Sequence, residues 1–115
     1  MANFRSPTAA ESALLEKLVQ LSFQGSNELK AQLQSLQVRE IDDDGSLELQ
    51  SDFGPDAEVT DRVPVEGELI DRDGVCIHVL LHVVDGRMKE LEVYKEDGSH
   101  ISELDPERMT VSTLS

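Results

Sequence analysis

The chain has 115 residues, the usual size of one domain with a modest core, and its formal net charge is −14. Such a charge repels nucleic acid and anionic membranes, and it either favours a cationic partner or serves solubility alone. The longest apolar run, HVLLHVV, is too short to span a membrane, and the N-terminus does not resemble a signal peptide. The single cysteine, Cys76, excludes an internal disulfide framework. We therefore expect one cytoplasmic domain over residues 1–115 that binds neither nucleic acid nor membrane.

Residues 1–36 predict a layer of two helices. In SPTAAESALLEKLVQLSF, Ser6 is the expected cap and Pro7 the first helical residue. Apolar residues recur at helical spacing through this segment and again in ELKAQLQSL. Gly25 is expected to end the first helix and Asn27 to cap the second. Their apolar faces are expected to pack on a sheet, with partner binding by a helix as the alternative.

From residue 37 onward apolar and polar residues alternate, which predicts strands. Strands are expected near residues 37–42, 46–51, 64–71, 75–84 and 87–95, with a further candidate at 99–102. The intervening residues 52–64 contain too much Gly, Pro and Asp for regular structure, so they form either a functional loop or a disordered segment. The sheet layer thus covers residues 37–102, and residues 103–115 form a tail.

Asp-Gly pairs recur between the predicted strands, and they fit either calcium-binding loops or turns. An EF-hand loop has a central glycine and closes with a bidentate glutamate. With Gly45 in the central position the closing residue is Ser51, and with Gly74 it is Leu80. Neither segment supplies the glutamate. The Asp-Gly pairs are therefore interpreted as hairpin corners.

The length of each corner decides which side chains share a face of the sheet. A loop formed by Arg72-Asp73-Gly74 places Leu69 opposite Ile77, and the same form of loop at the next corner places Leu91 opposite Val79. Both corners then contribute to one continuous apolar face. We therefore predict an α+β fold in which the two N-terminal helices pack on one face of an antiparallel meander of about five strands joined by Asp-Gly hairpins.

This register places His78 in one row with Glu68 and Glu92 on the other face. A histidine between two carboxylates is able to shuttle a proton or bind a metal, but such an arrangement is more often an ordinary cross-strand ion pair. His78 and His82 lie roughly 13 Å apart along an extended strand, too far for one ion. No nucleophile with a base and no phosphate-binding loop is recognisable. His78, Glu68 and Glu92 are thus candidates for an enzymatic or ligand-binding centre, while the sequence favours a non-enzymatic protein without metal or cofactor.

The same face carries apolar side chains interleaved with acids. They are Ile70, Cys76, Leu80, Val84, Met88 and Tyr94. A sheet face this apolar is seldom left in water, so we expect it to bind a partner unless the tail folds back over it. The occupant is either a basic protein or a second copy of the chain in a homodimer. The sequence therefore favours a small acidic binding protein that uses this face, its acidic surface or the long loop.

Two segments, RSPTAAESALLEKL and GRMKELEVYKEDGSHI, resemble a small set of bacterial proteins that have a single α+β domain of unknown function. The resemblance extends over most of the chain through its two ends. It implies an α+β fold and a bacterial source. It implies no activity, cofactor or functional residue.

Overall fold

The computed structural model describes residues 3–113 and has an α+β architecture. Two helices come first: α1 (Ala9–Gln20) and α2 (Ser26–Gln32). Six strands follow: β1 (Gln37–Glu40), β2 (Leu47–Gln50), β3 (Val65–Ile70), β4 (Cys76–Val84), β5 (Arg87–Lys95) and β6 (Thr110–Thr113). Short 3-10 turns occupy Leu33–Ser35 and Pro106–Arg108. The predicted fold class is confirmed, and in the described range neither helix has the length and apolar character needed to cross a membrane.

The strands form one antiparallel sheet in the order β1-β2-β5-β4-β3-β6. This order is not the predicted meander, because β2 pairs with β5 and not with β3. Residues 51–64 carry the chain from β2, past β5 and β4, to the far side of the sheet. β6 was not predicted: residues 110–113, assigned to the tail, pair with β3. The predicted strand at 99–102 does not form.

A capping box fixes the start of α1 at a later residue than expected. The Thr8 side chain accepts a hydrogen bond from the Glu11 N–H, and the Glu11 carboxylate accepts one from the Thr8 N–H. Arg5 holds the same carboxylate through two hydrogen bonds of 2.7 and 3.0 Å. The hydrogen bond from Arg5 is the main reason why the pKa of Glu11 is lowered. This reciprocal pairing satisfies the N–H groups of Thr8 and Glu11, so Thr8 is the cap; Ser6 is not the cap and Pro7 is not the first helical residue.

Gly25 precedes α2 and does not terminate α1. The first helix ends at Gln20, and Gly25 is the N-terminal cap residue of α2 with a left-handed φ of +93°. A Cβ atom at this position would lie 2.8 Å from Cγ1 of Val59 in the long loop. Glycine is therefore required at position 25 for two reasons: the left-handed backbone conformation, and the close approach of Val59, which leaves no room for a side chain. Asn27 lies inside α2 and is not its cap.

The core lies between the helices and one face of the sheet. Its members include Leu14, Leu15, Leu18 and Val19 of α1, Leu29 of α2, and Val65, Ile77, Val79, Leu81, Leu91 and Val93 of the sheet. Full burial of each such side chain contributes about 1.5–3 kcal/mol. Along β4 buried and half-buried residues alternate without interruption. The half-buried set defines the opposite side of the sheet, which we call the outer face.

The corner between β3 and β4 has the register expected from the sequence. Leu69 lies opposite Ile77, and the Asp71 N–H donates to the Val75 carbonyl at 3.0 Å. Gly74 has a φ of +86°, a left-handed conformation that glycine adopts without steric cost.

The corner between β4 and β5 differs from the prediction. Asp85 and Gly86 both have positive φ, 51° and 79°, so these two residues alone make the turn. A β-bulge follows, and Leu91 consequently lies opposite Leu81 and not opposite Val79. The two-residue turn pairs Met88 with the buried Val83 and so places Met88 in the core, where it is 1% exposed. The prediction that Met88 belongs to the outer face is therefore wrong.

The long loop after β2 is anchored by two buried or half-buried side chains. The Arg87 guanidinium donates to the carbonyl oxygens of Ser51, Phe53 and Gly54. Gln32 is fully buried, donates to the Pro55 and Gly86 carbonyls and accepts from the Met88 N–H. These contacts satisfy loop carbonyls that burial would otherwise leave unpaired.

The described part of the tail extends the sheet and does not fold over the outer face. Residues 110–113 add the edge strand, and Met109 before them is buried at 2% exposure. Met109 fills the space above Gly67, since a Cβ atom on Gly67 would lie 2.3 Å from its sulfur. The alternative that the tail covers the outer face is therefore wrong for residues 103–113, while residues 114–115 lie outside the described range.

A buried ion pair explains why residues 99–102 are not a strand. Lys95 Nζ lies 2.8 Å from Asp71 Oδ2, and their side chains are 1% and 0% exposed. Lys95 also donates to the His100 carbonyl, while the Asp71 carboxylate accepts from the Ser102 and Glu103 N–H groups. The backbone after β5 is thus held by side chains, and its N–H groups are not available for a further ladder.

Candidate functional site on the outer sheet face

The outer face is built from alternate residues of the central strands. They are Glu66, Glu68 and Ile70 on β3, Cys76, His78, Leu80, His82 and Val84 on β4, and Glu90, Glu92 and Tyr94 on β5. Ile70 is 49% exposed and Tyr94 is 40% exposed, so two large apolar side chains of this face are open to solvent. The face therefore combines solvent-exposed apolar surface with a set of carboxylates.

The structure separates the three residues of the predicted catalytic row. His78 lies opposite Glu68 on β3, with 3.8 Å between His78 Nδ1 and Glu68 Oε1. On β5 its partner is Tyr94 and not Glu92, because the two-residue turn and the bulge together shift the register of that strand. The closest carboxylate to His78 is Glu96, with 2.7 Å between Nε2 and Oε1. The sequence reasoning missed Glu96, although it shares the alternation of Glu92 and Tyr94.

The His78 ring is held in position from two sides. It stacks on Tyr94 with 4.9 Å between ring centroids and an interplanar angle of 20°. Burial, followed by the carboxylates of Glu92 and Glu66, raises the pKa of Tyr94, so its hydroxyl stays protonated at neutral pH. Stacking on a neutral ring leaves the edge nitrogens of His78 free to contact Glu96 and Glu68.

Cys76 lies two residues before His78 on the same face. Its sulfur, a ring nitrogen of His78 and a carboxylate oxygen of Glu96 all lie within 4.8 Å of one another. Burial, followed by the charges of Glu68 and Glu96, raises the pKa of the Cys76 thiol. The thiol is therefore protonated at neutral pH, which argues against a role as an activated nucleophile.

A second cluster surrounds His82. His82, Glu90 and Glu92 bring their ligating atoms within 4.8 Å of one another, and Nε2 of His82 lies 2.8 Å from Oε1 of Glu92. Arg62 Nε donates to His82 Nδ1 at 3.0 Å. Since Nδ1 accepts that hydrogen bond, the proton of the neutral ring lies on Nε2 and is donated to Glu92. Glu92, predicted beside His78, therefore belongs to this cluster.

Five of the six predicted interaction residues lie on the outer face: Ile70, Cys76, Leu80, Val84 and Tyr94. Leu80 is flanked directly by Glu66 on β3 and Glu92 on β5. The apolar and acidic residues thus alternate across strands as well as along them. Met88 is the exception, because it is buried in the core on the opposite side of the sheet.

A groove of about 430 Å³ lies elsewhere, between the two helices. Its lining consists of Glu16, Val19, Gln20, Lys30, Leu33 and Gln34. This lining includes neither histidine nor cysteine, and one acid faces one base. The groove therefore has fewer side chains able to bind a metal or transfer a proton than the outer face, despite its volume.

Residues 4–105 match the family described as Domain of unknown function (DUF6984). The chain belongs to this family. The DUF6984 match includes both helices, β1 to β5 and every residue of the two histidine clusters, and it ends before β6. The description of DUF6984 names no activity, which agrees with the resemblance noted in the sequence. No curated protein and no solved structure matches the chain.

Proposed function

We propose that this DUF6984 protein is a binding protein whose outer face recognises a basic segment of another protein. The observation that carries the proposal is the exposure of Ile70 and Tyr94 among carboxylates, at 49% and 40%. An apolar surface of this kind, surrounded by charge of one sign, suits a segment that combines aliphatic and cationic side chains.

The charge of the outer face supports a cationic occupant. The carboxylates of Glu68, Glu92 and Glu96 keep 51%, 40% and 56% of their side-chain surface exposed, so they remain available to a partner. Arg62 contacts His82 from the loop before β3, and no lysine or arginine belongs to the outer-face residues of β3 and β4 described above. Opposite charge on a partner would accelerate encounter and fix its orientation.

Charge also argues against a second copy of the chain as the occupant. A symmetric dimer through this face would bring the same carboxylates of two chains together, and each chain has a net charge of −14. Like charges at close range cost free energy unless cations lie between them. A basic partner is therefore preferred to a homodimer.

A defined peptide tests this proposal. The probe is a synthetic lysine- and arginine-rich peptide that contains leucine, and the comparison peptide has glutamate in place of each basic residue. We expect backbone amide shifts in β3, β4 and β5 with the basic peptide alone, weakening as salt is added.

Two charge-reversed variants sharpen the test. Glu66→Lys with Glu92→Lys changes the outer face, and Asp52→Lys with Glu58→Lys makes the same change of net charge on exposed residues of the long loop. Peptide binding should be lost in the first variant and retained in the second. Equal loss in both, or shifts confined to the helices, contradicts the proposal. Sedimentation that shows a dimer broken by the outer-face variant alone would identify a second copy as the occupant.

A further inference from the structure

Three different metal-ligating atoms meet at one point of the outer face. They are the sulfur of Cys76, a ring nitrogen of His78 and a carboxylate oxygen of Glu96, all within 4.8 Å of one another. Sulfur, imidazole nitrogen and carboxylate oxygen are the donors that Zn²⁺ takes in proteins. We propose that these three residues form a zinc-binding site whose fourth position is open to water. This inference does not depend on the proposed binding of a basic partner.

The backbone brings the three residues together in a fixed arrangement. Cys76 and His78 are alternate residues of β4, so their side chains leave the sheet on the same side. The Glu96 N–H donates to the Cys76 carbonyl at 3.0 Å, which fixes the end of β5 beside the start of β4. Stacking on Tyr94 holds the plane of the His78 ring. A site whose ligands are held by strands and packing loses little freedom when an ion binds.

The distances require only a small adjustment for zinc. Tetrahedral Zn²⁺ with ligands at about 2.0–2.3 Å needs ligating atoms about 3.3–3.7 Å apart. The present 2.7 Å between His78 Nε2 and Glu96 Oε1 is a hydrogen bond, which the ion would replace. The Glu96 side chain is 56% exposed and is free to move outward by this amount. Binding would also displace the proton of the Cys76 thiol.

Glu68 completes the arrangement as a positioning residue. Histidines that ligate zinc through one nitrogen usually donate their other N–H to a carboxylate, which orients the ring. When Nε2 faces the ion, Nδ1 of His78 faces Glu68 Oε1 at 3.8 Å. The Glu68 side chain is 51% exposed, so a small rotation brings it within hydrogen-bond distance.

The cluster around His82 serves as a matched control. It has a histidine and two carboxylates, but it lacks sulfur, and the Arg62 guanidinium donates to its histidine. A fixed positive charge next to the ligands opposes binding of a dication. Zinc should therefore prefer the cluster with Cys76.

Metal titration of the full chain tests the site. The purified protein, freed of metal with a chelator and kept reduced without thiol reagents, is titrated with ZnCl₂ against a chromophoric chelator. CoCl₂ is added in a parallel series, because cobalt bound to a thiolate has a charge-transfer absorption band. We expect one equivalent of zinc to bind and cobalt to show the thiolate band.

Variants assign the ligands. Cys76→Ser should remove the thiolate band of bound cobalt. His78→Ala and Glu96→Gln should each abolish stoichiometric zinc binding. The control variants His82→Ala and Glu92→Gln should retain stoichiometric zinc binding. Glu68→Gln should keep the band while zinc affinity falls about 10- to 100-fold. Circular dichroism of each variant verifies that it is folded, and Cys76→Ser changes one atom only. Absence of stoichiometric zinc binding, a missing thiolate band, or equal loss in His82→Ala and His78→Ala would overturn the proposal.

Discussion

At the scale of single residues, the buried pair of Asp71 and Lys95 determines where the sheet ends. Their hydrogen bond is the main reason why the pKa of Asp71 lies far below its ordinary value of 3.8. Hydrogen bonds to Asp71 and then to Asp73 raise the pKa of Lys95 above its ordinary value of 10.5. Removal of Lys95 leaves the buried Asp71 without an opposite charge, whereas removal of Asp71 leaves the buried Lys95 with Asp73 alone, whose side chain is 48% exposed.

The ion pair predicts how stability depends on pH. Because the pKa of Asp71 is lowered on folding, its contribution is complete above pH 3.8 and is lost as pH falls toward the lower value in the folded protein. The raised pKa of Lys95 gives a contribution that is complete below pH 10.5 and is lost as pH rises through the folded value. We expect Asp71→Asn to lower the thermal unfolding midpoint strongly at pH 7, and the difference from wild type to shrink below pH 3.8. Calorimetry from pH 7 to below pH 3.8 measures the unfolding midpoints of Asp71→Asn and of wild type.

Asp43→Asn is the control for this prediction, because Asp43 is exposed at the turn before β2. It should leave the midpoint at pH 7 almost unchanged. Unfolding midpoints of Asp71→Asn that run parallel to wild type from neutral to acid pH would contradict the linkage.

The close contact between Gly67 and Met109 leads to a second prediction. A Cβ atom there would lie 2.3 Å from Met109 Sδ, so Gly67→Ala forces Met109 to move. We expect the free energy of unfolding to fall by about 1–3 kcal/mol, the usual cost of overpacking a core. In a Met109→Ala background the same substitution should cost less, because the obstructing side chain is gone. Urea unfolding of the four proteins measures the coupling, and additive costs would contradict it.

At the scale of elements, local hydrogen bonds decide where the helices begin and the strands turn. Ser6-Pro7 is a good start signal by composition, but the box between Thr8 and Glu11 is the one that forms. In the same way, Asp85-Gly86 makes a turn of two residues followed by a bulge. The turn and the bulge together then decide which carboxylates meet each histidine.

The capping box is testable with two matched substitutions. Thr8→Ala removes the side-chain acceptor for the Glu11 N–H and should lower the free energy of unfolding by about 1 kcal/mol. Ser6→Ala, at the cap position expected from composition, should change it little. Denaturant unfolding of the two variants distinguishes the caps. A larger effect at Ser6 than at Thr8 would show that α1 starts where the sequence rule places it.

At the scale of the whole molecule, the two faces of the sheet have different roles. The helices bury one face, while the outer face carries both histidine clusters and the exposed apolar residues Ile70 and Tyr94. Residues 1–35 contain equal numbers of acids and bases, so the whole net charge of −14 belongs to the sheet, its loops and the tail. The proposed basic partner and the proposed zinc ion would therefore both act on the side of the molecule that holds the charge.

Sequence patterns were sufficient to predict the fold class, the two helices, five of the six described strands and the division of β4 into a core face and an outer face. These features depend on local periodicity, since a period of two along CIHVLLHVV assigns each side chain to one side of a strand. The corner at Gly74 was predictable for the same reason, because only one loop length keeps Leu69 and Ile77 on the same face.

Contacts between residues distant in the sequence became known only from the folded chain. The pairing of β2 with β5, the addition of β6, and the burial of Asp71 with Lys95 all join segments that local patterns cannot relate. At the candidate site, the shorter turn and the bulge together moved Glu92 from His78 to His82 and brought Glu96 to His78 instead. Alternation along a strand tells which side chains share a face, whereas their neighbours across the sheet depend on register, which the length of a turn and the presence of a bulge change together.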